Sequence, residues 1–164
     1  MIGKVLTAAV LAAGLSTAAI AQDVLRHKLP QSNFPIALAV EVPPGKTVVY
    51  LSGTVPPPLD DKGRNDTVAA FGDTKVQTLG VFGAIERNLK RLGLAMADIV
   101  KMQVFLVGDP AKGGAMDFAG FMEGYTQFFG TAGQPNLPAR SVVQVAGLAN
   151  PGWLVEIEVT AVRP

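Results

Sequence analysis

Cysteine is absent from the 164-residue chain, and histidine occurs once. Without thiols there can be no disulfide, no cysteine nucleophile and no thiolate metal site. The single histidine, His27 in Arg26-His27-Lys28, has no second imidazole to form a metal pair of the HExxH kind. It falls in a polar lead-in spanning 22–33, so it reads as a solvated surface residue rather than a member of a Ser/His/Asp set. Charged residues are few, 16% of the chain, and nearly balanced at +1. Aromatic residues make up 7%, with one tryptophan, and no stripe alternates them with basic side chains as nucleic-acid binders do. Gly113-Gly114 lacks the lysine and the spacing of a phosphate-cradling loop. No cofactor is expected from any of these patterns.

Long apolar runs are missing too, except at the start. Lys4 precedes an apolar run over 5–15, and Ala19-Ile20-Ala21 supplies small residues at a cleavage position before Gln22. This layout predicts a secretory signal peptide over 1–21 and a secreted or periplasmic protein. The alternative is an uncleaved membrane anchor, but the run is short for spanning and Gly14, Ser16 and Thr17 dilute it. Removing 1–21 takes away one basic residue, Lys4, and leaves the 13 acidic side chains balanced by as many basic ones. No pull toward nucleic acid or an anionic membrane remains.

Hydrophobic periodicity then orders the rest. Strands are predicted over 36–42 and 48–52, paired through a Pro43-Pro44-Gly45 turn. An irregular connection over 53–72 contains Pro56-Pro57-Pro58 and is read as a surface loop or a lid. A helix is predicted over 73–92, capped by Asp73 and ended by Gly93, with Val76, Leu79, Phe82, Ile85, Leu89 and Leu92 as its apolar stripe. A strand over 99–107 and an aromatic-rich helix over 117–129 follow. Two more strands, 140–146 and 153–161, close the chain around the 147–152 turn. The order strand, strand, helix, strand, helix, strand, strand implies an α+β fold, a mixed β-sheet with both helices packed on one face. The other face would be uncovered, carrying Val142, Ala146, Leu154 and polar groups, and would meet a partner.

The last two strands carry the chemistry. Alternation puts Ser141, Val143 and Val145 on one face and Arg140, Val142, Gln144 and Ala146 on the other. In the final strand Val155, Ile157, Val159 and Ala161 share a face opposite Glu156, Glu158 and Thr160. Arg140, Glu156 and Glu158 are expected together, on the face turned away from the core. A guanidinium can grip a carboxylate through two parallel hydrogen bonds. On spacing alone, an interface salt bridge is the other reading of Arg140.

Three segments, Pro138-Ala139-Arg140-Ser141, Val145-Ala146-x-Leu148 and Val155-Glu156-Ile157-Glu158, resemble in type and spacing the signature of the Rid (YjgF-like) family of enamine/imine deaminases. Weaker resemblance runs through Leu51-Ser52-Gly53, Asp98-Ile99-Val100-Lys101 and Tyr125-Thr126-Gln127-Phe128-Phe129. The resemblance implies one domain over 22–164, a chorismate-mutase-like fold, and a homotrimer with a barrel-like centre and pockets between subunits. It implies hydrolysis of 2-imino or 2-enamino acids to 2-keto acids and ammonia. Arg140 would hold the substrate carboxylate, Glu156 would position the water, and Gly53 would offer a backbone amide. Glu158 is read as a structural partner for a basic side chain.

The sequence also departs from the family. Ile36 stands near a position where many imine-hydrolysing relatives have tyrosine, Val142 where a cysteine is frequent, and Met122 where an asparagine is expected. These three make the pocket walls apolar. Either the substrate is greasier than usual, or the alternative holds: a non-catalytic trimer that binds a small carboxylate. A nuclease or chaperone-like role, reported for some relatives, finds no basic stripe to support it.

Overall fold

The computed structural model describes residues 23–60 and 65–164; the predicted signal segment lies outside them. Eight elements follow in order: β1 Leu25–Lys28, β2 Ala37–Glu41, β3 Val48–Thr54, α1 Thr74–Arg91, β4 Ile99–Val107, α2 Phe118–Tyr125, β5 Ala139–Val145 and β6 Val155–Val162. The strands form one six-stranded mixed sheet in the order β1-β2-β5-β4-β6-β3. Among the described residues no helix is long and apolar enough to cross a membrane.

Capping sets the helix ends. Asp73 Oδ1 accepts a 2.9 Å hydrogen bond from the Val76 N–H, and Asp117 Oδ1 a 3.0 Å bond from the Gly120 N–H. Gly93, at φ 69°, turns the chain out of α1 in the left-handed conformation that glycine tolerates. α2 stops at Tyr125, four residues before the predicted end, and Thr126 caps it. Phe128 and Phe129 reach the core from the turn that follows.

Both helices pack on one face of the sheet, as predicted. The α1 stripe is rotated from its expected position: Gln77, Thr78 and Val81 are buried, whereas Val76 and Leu92 are 38% and 42% exposed. Gln77 belongs inside because all its polar groups are satisfied. Its Nε2 donates to the carbonyls of Gly72 and Gly152, each at 2.9 Å, and its Oε1 accepts from the Leu154 N–H at 2.7 Å. The helices approach closely because Gly124 has no side chain; a Cβ there would lie 2.7 Å from Thr78 Cγ2. Between helices and sheet, Phe82, Ile85, Leu89, Met102, Val104, Leu106, Phe121, Tyr125 and Ile157 are fully buried. Each large apolar side chain so buried contributes roughly 1.5–3 kcal/mol relative to exposure.

Three expectations about the sheet are corrected. The 22–33 lead-in contains a strand, β1, which pairs antiparallel with β2. Arg26 ties it down by donating to the carbonyls of Ile99, Leu137 and Ala97, each at 2.9 Å. Second, β2 and β3 are not paired with each other: β2 lies beside β5, and β3 forms the far edge beside β6. The Pro43-Pro44-Gly45 segment therefore connects distant parts of the sheet. Third, β4 lies between β5 and β6, parallel to one and antiparallel to the other, so the last two strands form no pair.

Candidate functional site

The central position of β4 decides which side chains share a face. Met102 of β4 lies opposite Arg140 of β5 and Val159 of β6; Val104 lies opposite Val142 and Ile157. Met102 and Val104 are fully buried under the helices. Arg140 and Val142 therefore project to the helix side, and Val142 packs on the core. Phe105 lies opposite Val143 and Glu156, and Gln103 opposite Ser141 and Glu158. Those residues occupy the open face. The expected grouping of Arg140 with Glu156 and Glu158 is thus overturned within one chain: they stand on opposite faces. Leu154, expected on the uncovered face, is 1% exposed and in the core.

On the helix side, Arg140 enters a ring of aromatic side chains. Its guanidinium carbon lies 4.1 Å from the Tyr125 ring centroid, 5.1 Å from that of Phe121 and 5.5 Å from that of Phe34. Such stacking suits a planar, weakly hydrated cation. Nη2 donates to the Met122 thioether at 3.3 Å, a weak acceptor, and Nη1 is buried without an acceptor. No ion pair to Arg140 occurs among the described residues. Burial lowers the Arg140 pKa, opposed by the neighbouring Tyr125 oxygen. Arginine nevertheless stays charged, so the cation is held half-buried with hydrogen-bonding capacity unused.

Tyr125 is the floor of this arrangement. Its hydroxyl donates a 2.8 Å bond to the Pro35 carbonyl, which fixes the Phe34-Pro35-Ile36 segment beside Arg140. Burial pushes the Tyr125 pKa up to about 12, against the opposing pull of the Arg140 charge. Half-buried Ile36 follows in chain, its N–H donating to the Phe34 carbonyl at 2.8 Å. Of the residues singled out from sequence, Arg140 and Met122 thus meet directly, with Ile36 at the rim. Phe34, Phe121 and Tyr125 were missed as site residues. The spacing of Phe121, Met122 and Tyr125 on one helix surface could have found the two helical rings, since such neighbours reach one side together, whereas no local signal joins Phe34 to them.

On the open face, Glu156 meets Gly53. A Cβ at Gly53 would collide with Glu156 Oε1, so the carboxylate lies directly over glycine backbone. The β3–β6 register slips between Leu51 and Thr54, a bulge that takes Ser52 and Gly53 out of the regular ladder. Glu158 is exposed, and the structural pairing expected for it is not found among the described residues. It borders a shallow cavity of about 300 Å³, with Tyr50, Ser52, Lys101, Gln103 and Thr160. Tyr50 is 80% exposed and Val143 41%, apolar surface left open on this face.

Arg140 and Glu156 are separated by two strand spacings and by three residues along β6, placing their Cα atoms on the order of 14 Å apart. With the sheet between them, their side chains cannot meet one ligand within a single chain. Among the described residues no group of three His, Asp or Glu side chains is placed to hold a metal ion. His27, 39% exposed at its side chain, bonds instead to Glu41 Oε1 at 2.7 Å.

A mixed sheet covered on one face by two helices, with an aromatic-caged arginine at its margin, defines an α+β protein of the chorismate-mutase-like class. A family model described as Endoribonuclease L-PSP matches residues 39–163. The chain is 33% identical over 143 residues to a RutC family protein of Haemophilus influenzae, covering 87% of this chain and 97% of that protein. Among solved structures, it is similar to a YjgF family member from Neisseria meningitidis, at 27% identity and TM-score 0.51, over 88% of this chain and 98% of the other. A Rid family protein of unknown function from Yersinia pestis has the same fold, at TM-score 0.61 and 23% identity, over 83% of this chain and 96% of that one. The chain belongs to the endoribonuclease L-PSP family, that is, the YjgF/Rid/RutC family.

Proposed function

We propose that the protein hydrolyses 2-imino and 2-enamino acids to 2-keto acids and ammonia, in clefts between the subunits of a homotrimer. The observation that carries this reading is the state of Arg140. A cation stacked among three rings, with one buried nitrogen lacking an acceptor and another bonded only to sulfur, is suited to a small organic anion. A structural interface salt bridge would want an exposed or acid-facing guanidinium, and no carboxylate of the chain is within ion-pair reach among the described residues.

The opposite-face geometry favours assembly. Glu156 of one subunit would complete the site around Arg140 of the next, which is why a closed oligomer and not a monomer is proposed. The open face, with exposed Tyr50 and Val143, is the surface that would turn inward in such a trimer.

In that cleft the substrate carboxylate is held by Arg140, which leaves the imine carbon oriented toward Glu156. That carbon is already electrophilic, so the main requirements are orientation and a placed water. The Glu156 carboxylate accepts a proton from the attacking water as the C–O bond forms. The C=N π pair passes to the protonated imine nitrogen, giving a neutral carbinolamine. Glu156 returns its proton to that nitrogen, and as the C–N bond breaks the hydroxyl proton passes to Glu156, leaving keto acid and ammonia. Ile36, Val142 and Met122 bring no hydroxyl, thiol or amide, so binding contributes through apolar contact. The segment 1–21 is proposed to direct export, leaving a mature chain that begins at Gln22.

The test generates imino acids in situ with an amino-acid oxidase and follows their decay with the mature protein present. Acceleration over buffer that falls about a hundredfold in Arg140→Ala supports the reading. No acceleration, but 2-keto acid binding that depends on Arg140, would instead identify a non-catalytic carboxylate binder. That second reading is favoured by the apolar Ile36 and Met122. Cell fractionation and N-terminal sequencing test export.

A further inference from the structure

We propose that Met122 is an oxidant-sensitive modification site, and that its sulfoxide closes the anion site at Arg140. The proposal rests on the reading of Arg140 as a carboxylate clamp.

Met122 hydrogen-bonds the guanidinium, its Sδ accepting from Nη2 at 3.3 Å. A thioether is a weak acceptor, so this contact yields readily to a carboxylate. A thioether sulfur has two lone pairs, and the bond from Nη2 uses one of them. Met122 is half-buried at the rim of the site, whereas Met96 and Met102 are only 8% and 0% exposed in the core. Met116 is also half-buried, but the guanidinium's sulfur bond is to Met122.

The co-reactant is hydrogen peroxide. The free sulfur lone pair attacks one peroxide oxygen, and an S–O bond forms as the O–O bond breaks. Sulfur gives up two electrons, and the second oxygen leaves as water once it takes the proton released from the first. The product replaces a weak sulfur acceptor with a strongly polar oxygen on the same flexible side chain. That oxygen can reach Nη2 and the unsatisfied Nη1, the same two donors a substrate carboxylate needs. The modification is therefore an internal competitor, and methionine sulfoxide reductase would remove it.

The test treats the mature protein with hydrogen peroxide and follows sulfoxide at each methionine by peptide mass spectrometry. Two readouts follow: calorimetric binding of 2-oxobutanoate, and the rate at which phenylglyoxal modifies Arg140. The expected result is oxidation at Met122 ahead of the core methionines, with at least about a tenfold loss of 2-oxobutanoate affinity. Phenylglyoxal modification of Arg140 should slow in parallel, and reductase treatment should reverse both. In Met122→Leu, whatever its own affinity, peroxide should change neither readout. Unchanged phenylglyoxal reactivity in fully Met122-oxidised protein, or an equal peroxide effect in Met122→Leu, overturns the proposal. If untreated protein binds no 2-oxobutanoate, the clamp reading fails, and the phenylglyoxal comparison still decides whether the sulfoxide occupies Arg140.

Discussion

Arg140 and Glu156 stand on opposite faces of the same sheet, two strands apart, with β4 between them. A site that uses both must take one from each of two chains. On the proposed inter-subunit reading, Arg140→Ala and Glu156→Gln should each be nearly inactive as homotrimers, yet trimers assembled from an equal mixture should recover activity. With random assembly, a site has its arginine and its glutamate from intact donors in about a quarter of cases. Imine decay after co-refolding of the two variants measures this. Absence of recovery would remove the inter-subunit site.

Gly53 separates folding from chemistry. In Gly53→Ala the new Cβ collides only with the far end of the Glu156 side chain, which can swing away. Thermal stability should therefore change by less than about 1 kcal/mol, while on the proposed hydrolytic reading displacement of the carboxylate should lower kcat by about a hundredfold. A melt and a rate measurement on one sample check both. A fully active Gly53→Ala enzyme would argue that Glu156 has no part in catalysis.

Gln77 gives the opposite signature. Replacing it with leucine keeps the volume but strands the Leu154 N–H and the Gly72 and Gly152 carbonyls, all of which it now satisfies. The cost should be about 3 kcal/mol, since buried groups left without partners retain their full desolvation penalty. Urea denaturation should show a lower midpoint with an unchanged slope.

Tyr125 predicts an alkaline limb. Its folded pKa, about 12, lies above the ordinary value of 10.0, because burial penalises the phenolate. The native state thus holds this proton more tightly than the unfolded chain. The stabilisation it contributes is whole below the unfolded pKa and is lost as pH rises through the folded one. Stability should decline from about pH 10 to about pH 12, and Tyr125→Phe should lack that part of the decline. The same variant loses the bond to the Pro35 carbonyl, worth about 1 kcal/mol at neutral pH. Denaturant melts across the alkaline range test this, with phenolate absorbance following the ionisation.

Helix placement was the most legible part of the fold. Asp73 and Gly93 bracketed α1 because capping is local chemistry that needs only nearby residues. β4 was read at its full length, because Val100, Met102, Val104 and Leu106 alternate along it and all four are buried. Strand neighbours were not legible. Residues 140–146 and 153–161 are adjacent in sequence around a turn, but no local signal says that β4 inserts between them. The error over faces follows from that. Ser141, Val143 and Val145 are no more polar than Arg140, Val142 and Gln144, so alternation in β5 alone could not choose the buried side. β4 made the choice, because Met102 and Val104 face the helices and carry Arg140 and Val142 with them.

By itself, the sequence determined both helices and their caps, every strand but β1, the exclusion of thiol chemistry and the family motif around Arg140 and Glu156. Those properties follow from covalent composition and from interactions spanning a few residues. Tertiary structure alone decided that the arginine would be caged by Phe34, Phe121 and Tyr125, that Glu156 would lie over Gly53, and that the two would be divided by the sheet. Sheet order sets those relationships, and it is governed by contacts between segments far apart in the chain.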